Sequence, residues 1–120
     1  MKHVYIAGPY RATTRWGVEC NIRIAEQHAM MIARFNAIPI IPHAMYRYFD
    51  GTMCDDFWIA ATLSILKRCD VIVMLPNWKD SEGSKLEHEQ AEADGLPIFY
   101  ASEGGMRELQ KWLESAEQAA

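Results

Sequence analysis

The feature that most constrains the fold of this chain is a set of four short, continuous apolar runs separated by longer amphipathic stretches. The runs are residues 3–7 (HVYIA), 38–41 (IPII), 70–75 (DVIVML) and 97–100 (PIFY). Apolar residues that follow one another without polar alternation are typical of strands buried on both faces of a parallel sheet. We therefore predict four buried parallel strands.

The stretches between these runs have the pattern of helices. They are residues 21–35, 55–69, 84–94 and 104–113. The alternation of strand and helix predicts right-handed crossovers and helices on both sheet faces. The expected fold is α/β, a three-layer flavodoxin-like or Rossmann-like sandwich with a parallel sheet of four or five strands. It would form a single domain over residues 1–115, with a frayed tail at 116–120.

Composition excludes several classes of protein. The chain has 120 residues, half of them apolar, and a formal net charge of −4, and no basic stripe predicts a nucleic-acid partner. No apolar run approaches the length that spans a bilayer, so we expect no membrane segment. Three widely spaced cysteines are typical of reduced thiols in a cytoplasmic protein rather than of a disulfide framework.

The expected topology locates the ligand site before any chemistry is considered. In open parallel sheets, ligands bind beyond the carboxyl ends of the strands, where the strand order reverses. The loops at that edge would be residues 8–20, 42–54 and 76–83. The first two are longer than such connections usually are, and long loops in compact domains are often functional.

The first loop carries Gly8, Pro9 and Arg11 directly after the strand that contains Tyr5. Gly8 would let the backbone approach a ligand closely, although neither a dinucleotide-binding nor a P-loop glycine pattern follows. Arg11 is a natural partner for a phosphate or carboxylate, and a solvated surface arginine is equally compatible with its position. Tyr5 could either pack or present its hydroxyl at the sheet edge.

The second loop carries His43 at the end of a strand and two adjacent acids, Asp55 and Asp56, where a helix begins. One acid is expected to cap the helix or favour its dipole, which leaves the other available for chemistry. Several aromatic residues could wall a planar ligand such as a nucleobase, or could simply cover the core. They are Tyr46, Tyr48, Phe49, Phe57 and Trp58.

Glu87 admits two interpretations. Ser84 and Glu87 have the spacing of a capping box, in which a serine N-cap is followed three residues later by a glutamate. Alternatively, Glu87 faces a pocket and acts as nucleophile or base. Ser81 and Gly83 in the preceding turn favour the second interpretation, because a hydroxyl and free N–H groups at a helix start can hold an anion.

Metal and thiol chemistry have weaker support. The four histidines and three cysteines show no ligand spacing, so we expect no metal and no cofactor. A Cys–His nucleophile pair stays open, although Cys69 precedes a buried strand and is expected to pack. Neither Cys20 nor Cys54 has an obvious partner in the sequence.

Three blocks of sequence resemble the nucleoside 2-deoxyribosyltransferase-like superfamily, including its 2′-deoxynucleoside 5′-phosphate N-hydrolases and a small branch found in bacteria and phages. The blocks are YIAGPYR (residues 5–11), CDVIV (69–73) and SEGSKLE (81–87, continuing to 91). They match in order and approximate spacing over most of residues 3–98. The serine-x-glycine-x-x-x-glutamate block is the most specific of the three.

The resemblance implies roles for individual residues. Glu87 would be the nucleophile and Tyr5 a tyrosine near the sugar, while Arg11 and Ser81 would bind a 5′-phosphate. The acid that assists the departing base in this superfamily has no carboxylate counterpart here, because the corresponding stretch is AATLS, with Thr62 at its centre. Asp55 and Asp56, at the start of the helix, are the candidates to replace it. The asparagine that a neighbouring subunit contributes in the transferases has no clear counterpart either.

The expected activity is N-glycosidic cleavage of (deoxy)nucleosides or their 5′-monophosphates, by hydrolysis or by deoxyribosyl transfer. A nucleotide-binding module without catalysis and a scaffold on the same fold are the alternatives. The expected partners are a small-molecule nucleoside or nucleotide and further copies of this chain, in a homodimer or higher homo-oligomer.

Overall fold

The computed structural model of the protein describes residues 1–49 and 51–119, with side chains up to residue 117. Its strands are β1 (His3–Ala7), β2 (Ile38–Ile40), β3 (Val71–Met74) and β4 (Ile98–Tyr100). Its α-helices are α1 (Arg15–Arg34), α2 (Pro42–Met45), α3 (Asp55–Leu66), α4 (Glu82–Ala93) and α5 (Gly105–Ala119). Short 3-10 turns follow β3 and β4, at Trp78–Asp80 and Ala101–Glu103.

The four strands form one parallel sheet in the order β2-β1-β3-β4. Tyr5 in the centre of β1 is paired with Ile40 of β2 on one side and Ile72 of β3 on the other. The chain moves outward from β1 to β2 and then returns to the opposite side of β1 for β3. The order therefore reverses between β1 and β3, and the predicted parallel α/β sandwich is confirmed.

Alternate residues of the strands face two separate cores. Val4 and Ile6 of β1 face a core that α1 and α5 cover, with Ile32 and Leu109 fully buried in it. Tyr5 and Ala7 face the opposite core, which α3 and α4 cover through residues such as Leu66 and Ala91. Both faces of the central strands β1 and β3 are therefore buried, which explains why these strands lack polar alternation.

The helix boundaries differ from the predicted ones at the edge that matters for function. Helix α1 begins at Arg15 rather than at residue 21, because the Thr14 side chain accepts a hydrogen bond from the Gly17 N–H at 3.0 Å. The first loop is consequently much shorter than expected. The second loop contains α2, which starts with Pro42 at a position where proline lacks only an N–H that the helix does not use.

Helix α4 ends where the sequence predicts, at a glycine with positive φ (Gly95, φ 68°). Helix α5 continues to Ala119, while residue 120 lies outside the described residues, so the frayed tail at 116–120 stays a prediction. Within the described residues, every helix falls short of the length and apolar character needed to cross a bilayer.

Candidate functional site

A cavity of about 470 Å³ opens at the carboxyl edge of the sheet, where the predicted loops meet. The segment after β1, the turn into α2 and the first turns of α3 and α4 line it, and β1 forms its floor. This is the edge next to the reversal in strand order, where the topology predicts a ligand site. The cavity is large enough for a small organic ligand.

Glu87 lies in the second turn of α4 and is partly buried at the floor of this cavity. The predicted capping box is wrong, because the helix begins at Glu82 and Ser81 is its N-cap. The Ser81 hydroxyl accepts a hydrogen bond from the Ser84 N–H at 3.2 Å. Ser84 is therefore inside the helix, and Glu87 is not needed to cap it.

The Glu87 carboxyl is coupled to Tyr5. Burial raises the pKa of Glu87 from its ordinary value of 4.5 to about 7, and the Tyr5 hydroxyl partly opposes that rise. Tyr5 is completely buried, and burial together with the Glu87 charge raises the pKa of its hydroxyl well above the usual value. Tyr5 is therefore a neutral hydroxyl beside a carboxyl that is about half ionised at neutral pH.

Thr62 completes the polar groups at this floor. It lies on the cavity side of α3, and its hydroxyl is near enough to that of Tyr5 to lower the pKa of Tyr5 slightly against the effect of burial, although the two groups do not meet hydrogen-bond geometry. The same hydroxyl donates to the Ile59 carbonyl at 3.1 Å within the helix. The position where α3 approaches Glu87 and Tyr5 thus holds a hydroxyl and not a second carboxyl.

Arg11 and Asp55 form an ion pair at the mouth of the cavity, and both side chains are exposed. The Arg11 guanidinium, chiefly by its hydrogen bond, lowers the pKa of Asp55. Asp55 is therefore ionised at neutral pH. Ser81 and Gly83 lie at the start of α4 beside the same cavity, where backbone N–H groups and the helix dipole favour an anion.

His43 is buried beneath the first loop. Its Nε2 lies 2.8 Å from the Gly8 carbonyl oxygen, and because a carbonyl can only accept, Nε2 must carry the proton. Burial lowers the pKa of His43, so the ring is neutral and its Nδ1 is an acceptor. The sequence suggested that Gly8 lets a ligand approach the backbone. The structure shows a second reason for a glycine at this position, because an added Cβ would lie 2.6 Å from the Leu75 side chain.

An aromatic wall faces the cavity from the second loop and α3. The Tyr46 and Trp58 rings lie 4.9 Å apart at an interplanar angle of 46°, and both line the cavity. Phe49 stacks behind Trp58 at 6.2 Å. The wall offers apolar ring surfaces of the kind that pack against a planar ring.

Four buried side-chain polar atoms in the described part of the chain have no hydrogen-bond partner, and all four belong to residues that line this cavity. They are Tyr5 Oη, His43 Nδ1, Trp58 Nε1 and Ser84 Oγ. A buried polar atom without a partner costs about 1–3 kcal/mol. Such a cluster of unpartnered atoms is typical of a binding site, where a ligand or water supplies the hydrogen-bond partners.

The structure gathers nearly all of the predicted site residues around one cavity. The residues that line it are Glu87, Tyr5, Asp55, Gly8, Pro9, Arg11, His43, Ser81 and Gly83, whereas Asp56 does not. Sequence reasoning missed Tyr10, Ile59 and Ser84. Helical spacing could have found the last two, since Ser84 precedes Glu87 by three residues and Ile59 precedes Thr62 by three.

Metal and thiol chemistry gain no support from the side chains. Within residues 1–49 and 51–119, no group of three or more histidine, cysteine or acidic side chains is arranged to hold a metal ion. Cys69 packs with its Sγ 3.4 Å from the Ile65 carbonyl oxygen. Burial raises the pKa of the Cys69 thiol to about 11, so it is a poor nucleophile.

The fold and the cavity together define an α/β domain of flavodoxin-like topology with a cavity at its carboxyl edge. The chain belongs to the family described as Domain of unknown function (DUF7768), whose model matches residues 2–101. No curated protein matches it.

Solved structures with this fold include two 2-deoxyribosyltransferases. For the one from the psychrotolerant bacterium Bacillus psychrosaccharolyticus, the TM-score is 0.63 at 14% identity, over 82% of this chain and 70% of that chain. For the one from Leishmania mexicana, the TM-score is 0.59 at 18% identity, over 83% of this chain and 63% of that chain. This chain therefore spans less than two thirds of the Leishmania protein. At such identities the likeness establishes a distant deoxyribosyltransferase-like fold, and membership of that superfamily and of any branch of it stays a prediction.

Proposed function

We propose that this protein cleaves the N-glycosidic bond of (deoxy)nucleosides or their 5′-monophosphates, with Glu87 as the nucleophile, as a hydrolase or a deoxyribosyltransferase. The observation that carries the proposal is a partly buried carboxyl that does no capping, on the floor of a ligand-sized cavity and beside a fully buried tyrosine hydroxyl. The deoxyribosyltransferase fold of the two similar structures is consistent with it.

The reaction would proceed by double displacement at the anomeric carbon. As the bond from C1′ to the base nitrogen breaks, C1′ acquires oxocarbenium character, and a Glu87 carboxylate oxygen captures it as a glycosyl ester. In a hydrolase, water then attacks C1′, the ester C–O bond breaks and a proton is lost to solvent. In a transferase, the nitrogen of a second base attacks instead.

The environment of Glu87 suits this role. Only the ionised carboxylate can attack, and with its pKa raised to about 7 the group is about half ionised near neutral pH and more basic than an ordinary carboxylate. A positive charge developing at C1′ would favour ionisation further. The buried Tyr5 hydroxyl lies where it can donate to the carboxylate and fix its orientation.

The mouth of the cavity would hold the rest of the substrate. Arg11, Ser81 and the first N–H groups of α4 can receive a 5′-phosphate, with Asp55 giving up part of its contact with Arg11. Binding of the phosphate at the mouth would align the sugar against Glu87. Contacts away from the reacting atoms would in this way lower the barrier to reaction at C1′.

The direct test is base release from a panel of deoxynucleoside and ribonucleoside monophosphates and the free nucleosides, followed by chromatography. Glu87→Ala should lose roughly a thousandfold or more of turnover while the fold survives. Glu89→Ala is the matched control, because Glu89 lies exposed on the same helix outside the cavity. Near-normal turnover in Glu87→Ala would remove Glu87 from the mechanism.

A nucleotide-binding module without catalysis is the second candidate, and the identity of Thr62 favours it, because no second carboxyl stands beside Glu87 on α3 to protonate a departing base. The same panel separates the two, since a sensor would bind a nucleotide in calorimetry without releasing base from any substrate.

A homodimer or higher homo-oligomer is also part of the proposal. Tyr48 and Phe49 are 82% and 50% exposed beside the aromatic wall, which is unfavourable in water unless a partner covers them. Solution scattering at several concentrations tests this, and a monomer throughout would contradict it.

A further inference from the structure

The charges around the cavity are unequal. Among its described lining residues are four carboxyl groups, on Asp55, Asp80, Glu82 and Glu87, and one guanidinium, on Arg11. Asp55 is paired with this guanidinium, and Glu82 is paired with Lys85, which lies outside the lining. The negative balance of the lining therefore rests on Asp80 and on Glu87 when it is ionised, and it favours a ligand that brings positive charge.

The polar groups near Glu87 are poorly suited to protonating a leaving group. Tyr5 and Thr62 offer hydroxyls, and His43 presents an unprotonated Nδ1 because its proton is held on Nε2 by the Gly8 carbonyl. A neutral nucleobase departs readily only if an acid neutralises its nitrogen. A base that is already cationic needs no acid, because the bonding electron pair neutralises it as it leaves.

The acids at the rim are not placed to replace that function. Glu82 pairs with Lys85 on the exposed surface of α4, and Asp80 lies exposed on the 3-10 turn before the helix. The ion pair between Asp55 and Arg11 is likewise exposed at the mouth. These carboxylates contribute negative charge to the cavity rather than a proton at its floor.

The remaining features fit a cationic ring. Trp58 and Tyr46 both line the cavity, and an aromatic ring attracts a cation placed over its face within about 6 Å. His43 Nδ1 is 95% buried as part of its ring, lines the cavity and lacks a partner, so it can accept a hydrogen bond from an amide or amino N–H on the ring. This unpartnered acceptor supports a ligand with an N–H group, and the argument does not depend on the number of charged residues around the cavity.

From this geometry we infer that the preferred substrates are N-glycosides of a positively charged base, such as pyridinium nucleosides and nucleotides or N7-alkylated purines. The inference rests on the proposed function and narrows its substrate class. Glu87 would attack C1′, the C1′–N bond would break with its electron pair passing to the ring nitrogen, and the base would leave neutral without gaining a proton. Water would then release the sugar and regenerate the carboxylate, with one proton passing to solvent.

The first experiment compares turnover of cationic and neutral substrates. The cationic probes are nicotinamide mononucleotide and 7-methylguanosine 5′-monophosphate, with their ribosides and 2′-deoxy forms. The neutral probes are guanosine 5′-monophosphate and the four common deoxynucleoside monophosphates. We expect release from a cationic probe that Glu87→Gln abolishes, and release from neutral probes at about one hundredth of that kcat/KM or less. Neutral probes cleaved as fast as cationic ones would overturn the inference and leave the proposed function standing, whereas no release from any probe would overturn both.

A second experiment separates binding from the intrinsic reactivity of the cationic bond. The inactive Glu87→Gln protein is titrated with nicotinamide mononucleotide and with its reduced form, which has nearly the same size and the same sugar phosphate but a neutral ring. We expect the oxidised form to bind about tenfold more tightly, with a difference that shrinks as salt is added. Equal or tighter binding of the reduced form would overturn the charge argument.

A gain of function provides the third test. Thr62→Asp places a carboxyl beside Tyr5 and Glu87, and we expect it to raise release from neutral deoxynucleotides about tenfold or more over wild type. Thr62→Asn is the matched uncharged control and should not do so. If Thr62→Asp melts far below wild type, the turnover comparison with wild type and the binding comparison with Glu87→Gln decide the question; a folded Thr62→Asp protein without the gain would contradict the inference.

Discussion

Replacing Glu87 by glutamine should stabilise the fold, and the gain should increase as pH rises. The unfolded chain ionises this carboxyl near pH 4.5, whereas burial holds the folded group protonated until about pH 7. Between these values the folded state binds more protons than the unfolded state, so wild-type stability falls as pH rises through this window. Below pH 4.5 Glu87 is protonated in both states, so it does not lower the free energy of unfolding. Above about pH 7 it is ionised in both states, and the loss of stability has reached its full size.

The magnitude follows from the width of that window. Each pKa unit corresponds to about 1.36 kcal/mol, so a rise from 4.5 to about 7 removes about 3 kcal/mol from wild-type stability by pH 8. Glutamine has the same shape and does not titrate. The stability difference between Glu87→Gln and wild type should therefore grow by about 2–3 kcal/mol between about pH 5 and about pH 8.

Urea denaturation of both proteins across this pH range measures the effect, because the titration of all other carboxyls cancels in the difference. Glu89→Gln is the control and should show no such trend, since that side chain is exposed on the same helix. A difference that is constant with pH would refute the argument that Glu87 is held in a poorly solvated site. A stability difference that becomes smaller as pH rises would show that a positive charge near Glu87 stabilises its carboxylate in the folded state.

Three further predictions concern neighbours of Glu87. Tyr5→Phe removes a hydroxyl that lowers the pKa of Glu87, so the rise of kcat/KM with pH should move to higher pH, by about one unit. An unmoved pH profile would contradict this. Gly8→Ala should destabilise the fold by about 1–3 kcal/mol in urea denaturation, because its Cβ meets Leu75, and wild-type stability would show that the loop adjusts freely. Arg11→Met should raise KM about tenfold or more for 5′-monophosphates and much less for the matching nucleosides; equal effects on both would exclude a phosphate contact.

The sheet could be predicted because its strands carry their own signal. Residues 4–7 and 71–74 are apolar without interruption, and the structure buries every one of them. The helix starts at the carboxyl edge were harder to locate. The capping box suggested by Ser84 and Glu87 was wrong because a competing serine, Ser81, takes the N-cap three residues earlier, and both spacings are compatible with the sequence.

The chemical state of the site lay further beyond sequence reasoning. Nothing in the residue order indicates that Asp55 is bound to Arg11, because the two are 44 positions apart and meet only when the loop after β1 approaches the start of α3. The proton position on His43 likewise depends on the Gly8 carbonyl. Such properties follow from tertiary contacts between loops, which local patterns do not encode.

The strongest reason to assign Glu87 a role in chemistry is that its structural roles are already filled by other residues. The N-cap of α4 is supplied by Ser81, and Glu87 has no ion pair with a described basic side chain at salt-bridge distance. A partly buried carboxyl without a cationic partner lowers stability, as do the four unpartnered polar atoms around it. Groups that destabilise a fold cluster at functional sites because binding or catalysis, and not folding, maintains them. A ligand that fills the cavity should therefore raise the melting temperature of wild type more than that of Tyr5→Phe, which lacks one of these buried polar groups. An equal shift in both proteins would show that the Tyr5 hydroxyl takes no part in binding.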